Sequence, residues 1–173
     1  NDTLTQSFQV NASLNSNISE GFEGTMFPPD GWRIMNPDNS VTWERFGGAG
    51  YQSAASARIN IFNYNIKNNQ DILASPPITV LGQDSIKVSF QLAHAGFDNP
   101  GFGPDTLEII YSDDCGATWK NFGNYKKWDA SPGDNNLATA PNTSTDFIPT
   151  ATQWRKEAAA MALPLPNGAS SII

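Results

Sequence analysis

Alternation of apolar and polar residues organises this chain. In SIKVSFQLAHA, residues 85–95, Ile86, Val88, Phe90 and Leu92 fall at every second position, the period of a strand with one face on a core. TLEIIYS, 106–112, repeats the pattern with Leu107, Ile109 and Tyr111. The Gly-, Pro- and Asp-rich stretch GFDNPGFGPD, 96–105, lies between them and reads as a loop, so the two strands are expected to be antiparallel neighbours. Shorter strands are expected at 32–35, 42–46 and 57–62, with GGAG at 47–50 as a turn. FPPDGW, 27–32, is barred from a helix by two prolines and a glycine. DILASPPITV, 71–80, reads as extended, its prolines marking an edge or bend.

Three further stretches complete the pattern. TLTQSFQV, 3–10, alternates through Leu4, Phe8 and Val10 and is followed by a polar linker, 11–19. It is either the last strand of a preceding domain or an edge strand added to this one. WRKEAAAMAL, 154–163, is helical by propensity, yet its pattern also permits a strand with Trp154, Lys156 and Ala158 on one face. The stretch 129–146 reads as a long polar loop, and ASSII at the end reads as the start of a strand. Short strands with turns about every ten residues predict an all-β sandwich or barrel.

Composition narrows the function classes. The 173 residues are 39% hydrophobic, enough for one domain with a core. Charged residues make up 16%, and Asn, Ser, Thr, Gly and Asp carry the polar surface, which suits turns more than helices. A net charge of −7 and a pI near 4.4 would repel a phosphate backbone, so nucleic acid is not an expected partner. No apolar run approaches the roughly 18 residues of a membrane span. No signal-peptide pattern is present, so the chain is expected to be a processed or internal piece of a longer one. The lone cysteine, Cys115, allows no internal disulfide and no cysteine-rich zinc cluster.

Candidate chemistry is sparse. Ser112, Asp114, Gly116, Thr118 and Trp119 complete an Asp-box, Ser-x-Asp-x-Gly-x-Thr-Trp, whose expected role is a folding turn. His94, the only histidine, has neither a GxSxG nor an HExxH context and is expected to be a hydrogen-bonded structural residue. Acidic pairs such as Glu20 and Glu23 or Asp105 and Glu108 fit solvated surface as readily as acid–base catalysis. Asp38 and Asn39 in NPDNS, with Glu23 from the start of the domain, could supply hard oxygen ligands to calcium. Among the aromatic residues, Phe102 and Trp128 are expected to be exposed and to stack on a ligand such as carbohydrate.

GFEGTMFPPDGWRIMNPDNSVTWE, 21–44, resembles the opening of the choice-of-anchor J family. The shared residues are Phe22, Glu23, Phe27, Pro28, Pro29, Gly31, Trp32, Asp38, Thr42 and Trp43. DTLEIIYSDDCGATW and QWRKE, 153–157, are also similar to that family, so the resemblance covers about 20–173. It implies a jelly-roll β-sandwich of two antiparallel sheets, related to gingipain cleaved-adhesin and MAM-like domains. It implies a non-catalytic binding or accessory module on Bacteroidetes proteins that are secreted or held at the cell surface, often through type IX secretion. A glycan or a host or surface protein would be its partner, beside neighbouring domains of the same chain. A spacer between a catalytic domain and a C-terminal signal is the alternative role. The resemblance further implies structural calcium on Glu23 and Asp38, favours a strand at 154–163, and makes 1–19 a linker or the last strand of an immunoglobulin- or PKD-like domain. Two departures stand out: the family's final strand lies beyond Ile173, and its tryptophan after Asp71 is Ile72 here.

Overall fold

The computed structural model describes residues 17–64, 66–98, 103–165 and 168–173. The expected strand at 3–10 and the candidate ligand residue Phe102 lie outside them. The described chain is all-β. In order it runs β1 (Arg33–Met35), β2 (Trp43–Phe46), β3 (Ser56–Ile59), β4 (Ile72–Ala74), β5 (Ile78–Thr79), β6 (Ser85–Leu92), β7 (Thr106–Tyr111), β8 (Lys120–Trp128), β9 (Arg155–Ala162) and β10 (Ser171–Ile172). Single 3-10 turns occur at Ile61–Asn63 and Gly133–Asn135. Among the described residues no helix is long and apolar enough to cross a membrane.

The strands associate as five antiparallel pairs: β1 with β4, β2 with β3, β5 with β10, β6 with β9 and β7 with β8. The expected pairing of β6 with β7 does not occur. Their connection, 93–105, is far longer than a hairpin turn, so β7 is free to pair with β8 across the shorter Asp-box turn. β6 instead takes β9 over its whole length, from Ser85 opposite Ala162 to Leu92 opposite Arg155. The stretch that favours helix by propensity is therefore a strand. Its inward positions, Arg155, Glu157, Ala159 and Met161, alternate with the exposed Lys156, Ala158, Ala160 and Ala162. Eight residues in register with β6 and a buried face outweigh the few tenths of a kcal/mol per residue that alanine prefers in a helix.

The core sits where these two pairs meet. Val80, Tyr111, Phe122, Tyr125, Ala159, Leu165 and Ile172 are buried, with Ile86, Val88 and Phe90 of β6 packed against them. Phe90 meets Tyr125 edge-on at 5.8 Å, and Tyr111 meets Phe122 at 6.4 Å. In β8, Gly123 and Asn124 take positive φ of 56°, where the register with β7 jumps between Glu108 and Ile110. That bulge presses β8 onto β9: a Cβ on Gly123 would stand 2.5 Å from the Ala160 carbonyl oxygen. The end of the chain is tied in as well, since Ile173 and Ser112 exchange both backbone hydrogen bonds at 3.0 and 3.2 Å.

Candidate functional site

Two tight turns, with residues of β1 and β4, line an open groove. The first is FPPDGW, closed by the Trp32 amide donating to the Pro29 carbonyl at 2.9 Å. Gly31 has φ of 76°, and a Cβ there would stand 3.0 Å from Pro76 Cγ, so glycine is required on both counts. The second is the Asp-box. Asp114 Oδ1 accepts from the Ser112 hydroxyl at 2.7 Å and the Thr118 amide at 2.8 Å, and Oδ2 accepts from the Thr118 hydroxyl at 2.5 Å. These bonds, the Thr118 hydroxyl first, pull the Asp114 carboxyl down to about 2. The turn thus performs the folding role expected of it. Between the turns lies a groove of about 500 Å³ whose lining includes Pro28, Trp32, Met35, Cys115, Gly116 and Trp119. Trp32 and Trp119 are half-buried, and each keeps some surface toward solvent.

The predicted calcium ligands divide between two networks. Asp38 Oδ1 accepts from the Ser40 amide at 3.0 Å, while Oδ2 accepts from the Tyr64 hydroxyl at 2.7 Å and Asn69 Nδ2 at 2.8 Å. The Tyr64 oxygen is also 3.0 Å from Asp71 Oδ2. One hydroxyl proton cannot serve two carboxylates at once, so this pair is short of donors. Burial, Asp38 and Asp71 together raise the Tyr64 phenol, and the Tyr64 and Ser40 bonds lower Asp38. Asp71 Oδ1 and Asn36 Oδ1 are buried with no hydrogen-bond partner among the described residues. An excess of oxygen acceptors over donors is the environment a hard cation requires. Glu23 belongs elsewhere: its Oε1 accepts from the Ala55 amide at 3.3 Å, and Arg45 gathers the Phe22 and Glu23 carbonyls. Asn39 is exposed, with φ of 54°, and shapes the turn. Asp71 joins Asp38 through Tyr64, whereas Asn39 stays in the same turn, its amide donating to the Asn36 carbonyl at 3.4 Å.

His94, Asp105 and Asp129 form a third cluster, at the ends of three strands. His94 is two residues past β6, Asp105 directly precedes β7 and Asp129 directly follows β8. His94 Nε2 lies 2.7 Å from Asp129 Oδ1, and Asp129 Oδ2 accepts from the Asp105 amide at 3.3 Å. His94 is only 8% exposed. Burial, then the neighbouring Asp129 charge, raises the Asp105 carboxyl, and His94 partly offsets this. The structural role expected for His94 is visible in these bonds. Its partner Asp129 lies 35 residues away, so no local motif announces the contact.

Trp128, expected to be exposed, closes β8 and is half-buried. Its carbonyl accepts from the Ser131 and Leu137 amides, which hold the following loop. The sequence pointed to Phe102 and Trp128 as the exposed aromatic residues, whereas Trp32 and Trp119 line the groove. The signal available was their placement beside glycine turns, where a side chain stands at a rim. No family model, curated protein or solved structure matches this chain.

Proposed function

We propose that this chain is a non-catalytic binding or accessory module of an exported bacterial protein, folded as a jelly-roll β-sandwich, and that it takes carbohydrate in the groove between Trp32 and Trp119. The groove carries this reading. Its indole walls, apolar floor and adjoining Arg33 offer flat faces for sugar C–H surfaces together with a polar group for hydroxyls. The two turns hold the walls rigidly, so little conformational entropy is lost on binding. Calcium at Asp38 and Asp71 is the structural cofactor of this proposal, because their donor-poor oxygens are suited to a hard ion. By holding a glycan surface, the module would raise the effective concentration of a neighbouring domain there.

Glycan-array screening followed by calorimetry tests the groove. Binding to at least one glycan class is expected, weakened about tenfold or more by Trp119→Ala or Trp32→Ala, equivalent to about 1.4 kcal/mol. Trp128→Phe should leave it intact. Absence of binding to every glycan would overturn the reading in favour of a spacer domain, and binding indifferent to both groove tryptophans would place the ligand elsewhere.

A further inference from the structure

The geometry points to a second metal site, for a divalent transition ion of the zinc class, formed by His94, Asp105 and Asp129 where β6 and β8 end and β7 begins. One ligand atom from each residue lies within 4.8 Å of the other two. The site stands apart from the groove and from the Asp38–Asp71 network, and it does not depend on the proposed function.

Three observations support it. First, the cluster is short of positive charge. Two carboxylates share a half-buried space with one imidazole, and the salt bridges of Arg58, Lys120, Lys126, Lys127 and Arg155 all go to other carboxylates. Second, the ligands are oriented from behind. Asp129 Oδ2 is held by the Asp105 amide, and the Asp129 amide donates to the Asp105 carbonyl at 3.1 Å. The His94 backbone is clamped by Thr139, whose hydroxyl accepts from the His94 amide at 2.9 Å and whose amide donates to the His94 carbonyl at 2.8 Å. Such supports fix ligand direction in metal sites. Third, the chain keeps the space clear at Gly96. A Cβ there would stand 2.9 Å from Asn142 Oδ1 and 3.3 Å from Asp129 Oδ2.

The donor set selects the ion. Imidazole with two carboxylates suits zinc, manganese or iron, whereas calcium and magnesium take oxygen almost throughout. Zinc bonds of about 2.0–2.2 Å put tetrahedral ligands roughly 3.4 Å apart, so a pair as far apart as 4.8 Å must close by about 1.4 Å, which side-chain rotation supplies. The ion takes the place of the Nε2 proton now directed at Asp129, and that proton passes to Nδ1 or to water. Water completes the coordination. The bound ion would join the β6–β9 pair to the β7–β8 pair and, through Thr139, fasten the loop 129–146.

The test uses metal-stripped protein of the full 173 residues carrying Cys115→Ser, which removes the only thiol as a competing ligand. Zinc is titrated by calorimetry and thermal melting, and cobalt is used as an optical probe. One zinc per chain is expected, with a higher melting temperature and a cobalt spectrum of imidazole–carboxylate type. Asp105→Asn, which keeps the shape of the side chain and removes its charge, should weaken zinc at least tenfold. His94→Gln should abolish the cobalt spectrum. Excess calcium should not displace the zinc. Absence of stoichiometric zinc binding, or binding unaltered in Asp105→Asn and His94→Gln, would overturn the site. Glycan binding, measured in parallel, reports on the groove separately.

Discussion

The two halves of this molecule are held together by different forces. From Ile78 onward the strands share one apolar cluster, in which every buried member and every packed neighbour belongs to that half. Among the described residues between 17 and 77, only Ala55 and Ala74 are buried hydrophobics. That half is joined by polar links instead. Trp43 Nε1 donates to the Asp71 carbonyl, Tyr64 bridges Asp38 and Asp71, and Arg58 pairs with Glu44 and Asp146. An apolar core is non-directional and tolerates small shifts, while a hydrogen-bonded network holds only when its donors and acceptors balance. The early half, where they do not balance, is therefore where a bound cation has most to contribute. The groove inherits both regimes, since Trp32 comes from the polar half and Trp119 from the turn that enters β8.

Three substitutions sharpen this contrast. Phe122→Ala empties the best-buried site in the core, 2% exposed, and should cost about 3–5 kcal/mol by denaturant unfolding. A cost near zero would mean that the late half does not rely on that cluster. Next, calcium at about a hundred times its dissociation constant should stabilise the protein by about 2.7 kcal/mol, and Asp71→Asn should remove most of that gain in thermal melts. A melt unaffected by chelator would reject calcium at Asp38 and Asp71. The smallest effect concerns Asp114. Its carboxyl titrates at about 2 in the fold, below the ordinary 3.8, so its stabilisation is complete above 3.8 and disappears as pH falls toward 2. Asp114→Asn should flatten the acid limb in that window and converge with the wild type at its lower end. Parallel acid limbs for the two proteins would show that the Asp-box carboxylate contributes nothing there.

Much of the strand pattern was legible along the chain. The period-two runs at 85–92 and 106–111 became β6 and β7, and the turn chemistry of FPPDGW and the Asp-box was readable from Gly31, Asp114 and Gly116. The expected strand at 57–62 is shorter, ending at Ile59 before a 3-10 turn, because nothing in a period-two pattern says where a partner strand stops. The candidate sites were less legible. Asp38 was found by its loop. Glu23 was added from the start of the domain, a placement that the resemblance also implies, and its hydrogen bond goes to the Ala55 amide.

What the sequence alone determined is what depends on neighbours in the chain: extended segments, tight turns, an acidic surface and an all-β class. Tertiary structure alone decided which strands pair, that Trp32 and Trp119 line one groove, that Tyr64 joins Asp38 to Asp71, and that Asp129 reaches His94. The reason is physical. Backbone preference and side-chain alternation act over a few residues. Pairing and site assembly are set by which apolar faces can be buried together, and that competition is settled only when the whole chain packs.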